Sequence, residues 1–213
     1  LAPYRPECWT TDAWNAAYAS GVLDYYGSLQ ELSRYSVLTG YVSWCCRCLD
    51  KPPRVLDIGC GTGLLRDRLD DNSFGHYVGI DLSPSAISMA QSKGQVRSQF
   101  LVGDGSALSL EEKFDVVVLN EVLYYAPDSR QFLRQALEAL LPEGFLLVSM
   151  WRHPGDHNLW RLVDAAIPLI DRTEVRNRAN PVTRRGWAIA CYGTSAEGRE
   201  AKTPTSREAD EGG

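Results

Sequence analysis

The chain has 213 residues, 44% of them hydrophobic, and its 22 basic and 27 acidic side chains leave a formal net charge of −5. That length and apolar content suit one compact domain with a full core. The acidic balance argues against a sequence-independent nucleic-acid binder, which needs a basic surface to neutralise phosphates, and no apolar run reaches the roughly 18 residues of a membrane span.

The opening LAPYRPECW has no basic stretch leading into an apolar one, so no secretory leader is expected, and a cytoplasmic location is. Residues 1–28 are rich in aromatics, with Tyr4, Trp9, Trp14, Tyr18, Tyr25 and Tyr26. Residues 29–50 form an amphipathic pattern, with Leu32, Tyr35, Ser36, Leu38 and Val42 expected inward. Of the six cysteines, Cys45, Cys46 and Cys48 crowd together as CCRC; Cys8, Cys60 and Cys191 stand apart. None has the spacing of a zinc site, so no metal is expected, and reduced thiols packed as small hydrophobes are.

Four short apolar runs follow, RVLDIG (54–59), HYVGID (76–81), QFLVGD (99–104) and FDVVVLN (114–120), then a fifth, GFLLVSM (144–150). Such continuous runs are those of strands buried on both faces of a parallel sheet. Helical stretches separate them. LLRDRL follows the first strand. Ser83 before Pro84 is a helix start. Phe132, Leu133, Ala136, Leu137 and Leu140 share one helical face that Pro142 and Gly144 should end. A helix over 158–168 and strands near 171–177 and 187–193 complete the pattern. The alternation predicts an α/β domain over 29–193, and the polar residues 194–213 are expected to be disordered.

The strongest local signal is VLDIGCGTG at 55–63, where a buried strand runs into Gly59, Gly61 and Gly63. Glycines there let backbone approach a ligand at the carboxyl end of the strand. The dinucleotide fingerprint needs glycine at 59, 61 and 64, and position 64 is leucine. Asp57, ahead of the loop, would repel phosphate but suits an ammonium or a sulfonium. Asp81 ends the second strand, where a carboxylate can accept from both ribose hydroxyls. Asp104 ends the third, in GDGSAL, and can accept from an exocyclic amine. NEVLYY (120–125) ends the fourth at the same edge.

VLDIGCGTG, GIDLSPSAI, GDGSAL and FDVVVLNEVLYY resemble the successive motifs of class I S-adenosylmethionine-dependent methyltransferases, in order, over roughly residues 29–193. The resemblance implies a doubly wound, mostly parallel seven-stranded sheet with one strand inserted antiparallel and an N-terminal helical lid. It implies S-adenosylmethionine as cofactor and S-adenosylhomocysteine as product. The glycine loop (Asp57, Gly59, Cys60, Gly61, Gly63) would surround the methionyl part. Asp81 would hold the ribose and Asp104 would lie near the adenine amine, with Leu82, Ser83, Gly105, Ser106 and Asn120 as further cofactor-binding residues. The lid WNAAYASGVLDYYG would bring Tyr18 or Tyr26 over the cofactor. Arg34 either holds the cofactor carboxylate or is an exposed helix charge.

Methyl transfer to a hydroxyl or an acidic carbon calls for a base, whereas a neutral amine needs little beyond losing a proton. Glu121, His153 and His157 are the candidates for base, with Tyr124 as a further catalytic group; Tyr125 and Trp151 would line the acceptor pocket with Tyr124. His76 falls at the opposite edge. A small-molecule acceptor fits the small size and acidic balance, and NEVL replaces the NPPY-type sequence of amino-methylating nucleic-acid enzymes. Two alternatives stay open: a non-catalytic cofactor-binding scaffold, and a protein or RNA methyltransferase. A monomer or a homodimer is expected.

Overall fold

The structure is a computed structural model and describes residues 9–108, 110–152, 157–177 and 186–193. Seven strands form one sheet: β1 (Arg54–Ile58), β2 (His76–Asp81), β3 (Ser98–Val102), β4 (Phe114–Asn120), β5 (Leu140–Trp151), β6 (Leu169–Arg176) and β7 (Gly186–Gly193). Their order is β3-β2-β1-β4-β5-β7-β6. The first five strands pair in parallel, and β7 inserts antiparallel between β5 and β6. The expected doubly wound sheet is therefore observed, including its one antiparallel strand. The helices are α1 (Thr11–Ala19), α2 (Leu29–Leu49), α3 (Pro84–Ser92), α4 (Ser129–Glu138) and α5 (His157–Ala166). None among the described residues is long and apolar enough to cross a membrane.

The central strands are mostly apolar because both faces are covered. Leu56, Ile58, Val117, Leu119 and Leu146 pack with Phe132, Leu133 and Ala136 of α4 and Val163 of α5. Val55, Val116, Val118 and Leu147 pack on the other face with Leu38, Val42 and Cys45 of α2. Each such fully buried aliphatic side chain contributes about 1.5–3 kcal/mol. The strand order reverses between β1 and β4, which opens a crevice at their carboxyl ends.

The structure corrects three local expectations. LLRDRL forms turns and a short 3-10 segment, Arg66–Arg68, instead of an α-helix. Arg66 there turns inward, bonds Ser98 and Asp71 and lies over the Phe74 ring, contacts a regular helix would not make from that position. α4 ends at Glu138, and Leu140 already pairs with Phe114, so Pro142 and Gly144 lie within the span of β5 beside a register shift. The buried stripe of α2 is Glu31, Arg34, Tyr35, Leu38, Val42 and Cys45. Leu32 and Ser36 are exposed, because two charged residues occupy the inward positions that an apolar-only pattern gives to them. Residues 194–213 lie outside the described residues.

Candidate functional site

A cavity of about 370 Å³ opens at the carboxyl edge of the sheet, over the β1/β4 crevice. Its floor comes from four strand ends: 58–62 after β1, Asp81 and Leu82 after β2, 103–106 after β3 and 120–122 after β4. Trp9, Trp14, Tyr18 and Tyr26, from α1 and its flanks, line it from above.

The glycine loop is held in a conformation that excludes side chains. Gly59 has φ +79°, and a Cβ there would come within 2.5 Å of Val122 Cγ2. Gly61 has φ +55°, and its Cβ would meet the Tyr18 hydroxyl at 2.7 Å. The lid tyrosine thus rests on the loop itself. The loop is tied to β2, since the amides of Gly59 and Cys60 donate to the Ile80 carbonyl. The Asp81 carboxylate accepts from Gly61 N–H at 2.8 Å and Ser83 N–H at 2.9 Å. Burial pushes its pKa up, and these two amides oppose the rise. Asp104 is exposed at the cavity and accepts from Ser106 N–H at 2.8 Å. A Cβ on Gly105 would collide with Phe132 at 2.4 Å and Ile58 at 2.6 Å, so glycine lets this strand end close onto the sheet.

Glu121 stands in the left-handed region, with φ +60°. One carboxylate oxygen accepts from Ser149 Oγ at 2.8 Å; the other accepts from Tyr124 Oη at 2.7 Å and Trp151 N–H at 3.0 Å. Burial raises its pKa, while Arg34 and the Tyr124 and Ser149 bonds lower it. Arg34 is 1% exposed, which rules out an exposed helix charge. It pairs with Glu31 at 2.9 Å and donates to Asn120 Oδ1. Its Nε has no hydrogen-bond partner among the described residues, although the residue lines the cavity. Burial disfavours the guanidinium, but Tyr35, Glu121 and Glu31 outweigh that and hold it charged.

Tyr18, Tyr26, Arg34, Gly59, Cys60, Gly61, Asp81, Leu82, Asp104, Gly105, Ser106, Asn120 and Glu121 all line the cavity, with Trp14 and Tyr125. Asp57, Gly63, Ser83 and Tyr124 stand behind its wall. Asp57 is buried against Tyr77, whose hydroxyl donates to it at 2.5 Å, and burial raises its pKa to about 7. Gly63 lets the loop pack on Phe100 and Ala90. Ser83 is fully buried and caps α3 by accepting from Ala86 N–H. Tyr124 spends its hydroxyl on Glu121, and burial raises its pKa far above the usual phenol value. Trp151 contributes its backbone amide rather than its ring. Tyr18 and Tyr26 are likewise held neutral, chiefly by burial. His76 lies at the start of β2, away from this edge. His153 and the side chain of His157 lie outside the described residues.

Sequence reasoning missed Asn15, whose Oδ1 accepts from Ser83 Oγ at 2.7 Å and Ser85 N–H at 3.2 Å. That contact fastens α1 to the start of α3. It also missed Glu31, although its i,i+3 spacing to Arg34 was a usable signal. Trp9 was noted only as an aromatic; it stacks on Trp14 with centroids 4.2 Å apart.

The methyltransferase domain family profile matches residues 37–189. A ubiquinone biosynthesis O-methyltransferase of Azorhizobium caulinodans is 40% identical over 100 residues, 45% of this chain and 39% of that protein. A malonyl-[acyl-carrier protein] O-methyltransferase of Bacillus anthracis is 34% identical over 99 residues, 45% of this chain and 36% of that one. The alignment spans less than half the length of either relative. The magnesium protoporphyrin IX methyltransferase of Synechocystis, solved with bound S-adenosylmethionine, superposes with a TM-score of 0.69 at 19% identity, over 92% of this chain and 100% of that chain. At that identity the likeness speaks for the fold.

Proposed function

The chain belongs to the methyltransferase domain family, in its class I S-adenosylmethionine-dependent form, and from that premise we propose that it transfers the methyl group of S-adenosylmethionine to an oxygen, nitrogen or carbon of a small-molecule acceptor. The observation that carries this reading is the convergence of the glycine loop, Asp81, Asp104 and Arg34 on one cavity over the β1/β4 crevice.

The residues fit the cofactor. The loop at 59–62 offers backbone without side chains, as close approach to the methionyl part requires. Asp81 keeps lone pairs for the ribose hydroxyls beyond those given to Gly61 and Ser83. The exposed carboxylate of Asp104 suits an exocyclic amine. Arg34, with its unpartnered Nε, suits a carboxylate. Bound S-adenosylmethionine supplies a methyl carbon made electrophilic by the sulfonium. What this chain supplies is placement and exclusion of water, through the roof of Trp9, Trp14, Tyr18 and Tyr26. Glu121 has its oxygens engaged by three donors, so we assign it to holding the β4 and β5 ends in place rather than to taking the acceptor's proton.

Both relatives act on small or carrier-bound acceptors by name, which supports the same class here. Calorimetry with S-adenosylhomocysteine, followed by transfer of labelled methyl to a metabolite extract, tests the reading. Micromolar binding and label in small molecules is the expected result; no binding refutes it.

A further inference from the structure

The cavity is divided by composition. Its sheet side combines glycines, Ser106 and the carboxylates of Asp81, Asp104 and Glu121 with aliphatic side chains and Phe132. Its other side is aromatic. Trp9 and Trp14 stack at 4.2 Å, and Tyr125 meets Trp14 edge-on at 5.0 Å and Trp9 at 5.8 Å. All three line the cavity. Tyr18 joins the two sides, with its ring centroid 6.2 Å from that of Trp14 and its hydroxyl over Gly61. Tyr18 therefore links the aromatic corner to the glycine loop. Ring faces and edges favour a flat π-system laid against them.

Charge narrows the acceptor further. Asp24, Asp81, Asp104 and Glu121 line the cavity, and among the described residues Arg34 is the cation that does so. Arg34 is engaged by Glu31 and Asn120, and its remaining Nε is the group assigned to the cofactor's carboxylate. With the cofactor on Asp81, Asp104 and Arg34, an acceptor carboxylate or phosphate would meet the acids Asp24 and Glu121 and no unassigned cation among the described lining residues, so its lost hydration would not be replaced.

From these two observations we infer that the methyl acceptor is an uncharged, planar ring compound carrying its nucleophilic oxygen or nitrogen on the ring, and that the wall's own carboxylates turn carboxylate acceptors away. The inference rests on the reading that the sheet side holds S-adenosylmethionine. In the transfer, a lone pair of the ring oxygen or nitrogen makes the new bond to the methyl carbon. The carbon–sulfur pair remains on the thioether product, and the ring substituent's proton leaves to water at the cavity mouth.

The test uses the intact protein and the fluorescence of its tryptophans. Catechol and 8-hydroxyquinoline are titrated against trans-aconitate and monomethyl malonate, each with and without S-adenosylhomocysteine, and the same four compounds are offered as acceptors with labelled S-adenosylmethionine. The ring compounds should quench at concentrations at least tenfold lower than the carboxylates, and label should go to the rings. Trp14→Leu should raise the ring compound's KM at least fivefold, and by a larger factor than it raises the S-adenosylhomocysteine Kd. Carboxylates that bind as well as the rings, or are methylated in preference, overturn the inference while the cofactor reading stands. Quenching by the rings without any binding of S-adenosylhomocysteine supports the aromatic wall and removes the cofactor reading instead.

Discussion

Glu121 combines a left-handed backbone with a carboxylate that accepts from three donors on two other chain segments. A non-glycine residue held at positive φ costs about 1–2 kcal/mol, and the three bonds offset that cost. Glu121→Ala would strand Ser149 Oγ, Tyr124 Oη and the Trp151 amide, for an expected loss of about 2–4 kcal/mol in urea unfolding. Glu121→Gln keeps an acceptor oxygen and should lose about 1 kcal/mol. Because this carboxylate is assigned no proton transfer, Glu121→Gln should keep the limbs of the wild-type pH–rate profile; the loss of the acidic limb, where rate rises as a base gives up its proton, would restore Glu121 as the base. Asp57 gives a pH prediction. Its folded pKa is about 7, raised by burial, while an unfolded aspartate releases its proton near pH 4. Between those values the folded state holds a proton that the unfolded state has lost. Stability therefore falls as pH rises through that window, by up to about 1.4 kcal/mol per unit. Asp57→Asn should flatten the fall between about pH 4 and 7 in thermal melts and leave the contribution of Asp81, whose pKa is shifted in the same direction. At this scale the loop glycines and the strand-end acids were legible, because motif spacing encodes them. Asn15, the Asn120 partner of Arg34 and the burial of Arg34 were not. Those pairings join residues 68 and 86 positions apart, and no local pattern records them.

At the scale of elements, the buried strands could be placed from their apolar runs, and β2 and β4 begin and end where those runs do. The segments that resisted were those in which a side chain's tertiary partner overrides its spacing. Arg66 replaces a helix by a turn, and Leu140 continues a helical stripe into a strand. The same interplay governs α1, which carries Tyr18 over the loop and is fastened to α3 through Asn15. Asn15→Ala leaves α3 its own Ser83 cap, so global stability should change by less than about 1 kcal/mol. The S-adenosylhomocysteine Kd should nevertheless rise about fivefold, and proteolysis near Gly21, whose φ of +73° marks the turn after α1, should quicken. Unchanged affinity would show that α1 holds its place without this contact. Gly105→Ala acts on the sheet side. Its methyl group would need the space of Phe132 and Ile58, for an expected cost of about 1–3 kcal/mol and a loss of cofactor binding.

For the molecule as a whole, the site is a linkage between ligand and fold. Its lining comes from the ends of β1, β2, β3 and β4 together with α1 and α2. A ligand that bridges these elements binds the folded state and has nothing comparable to bind in the unfolded chain. At a hundred times its Kd such a ligand adds about 2.7 kcal/mol to stability. For a chain of this size that corresponds to a rise in Tm of roughly 5–11 °C. S-adenosylhomocysteine should produce that rise in differential scanning calorimetry. Asp81→Asn should reduce it at the same ligand concentration, because the amide can accept only at one oxygen while Gly61 N–H, Ser83 N–H and the ribose hydroxyls all require acceptors. The control is Asp67→Asn, at a surface carboxylate paired with Lys93 outside the cavity, which should keep the full rise. Equal shifts in all three proteins would mean that the ligand stabilises the chain from somewhere other than the β1/β4 crevice.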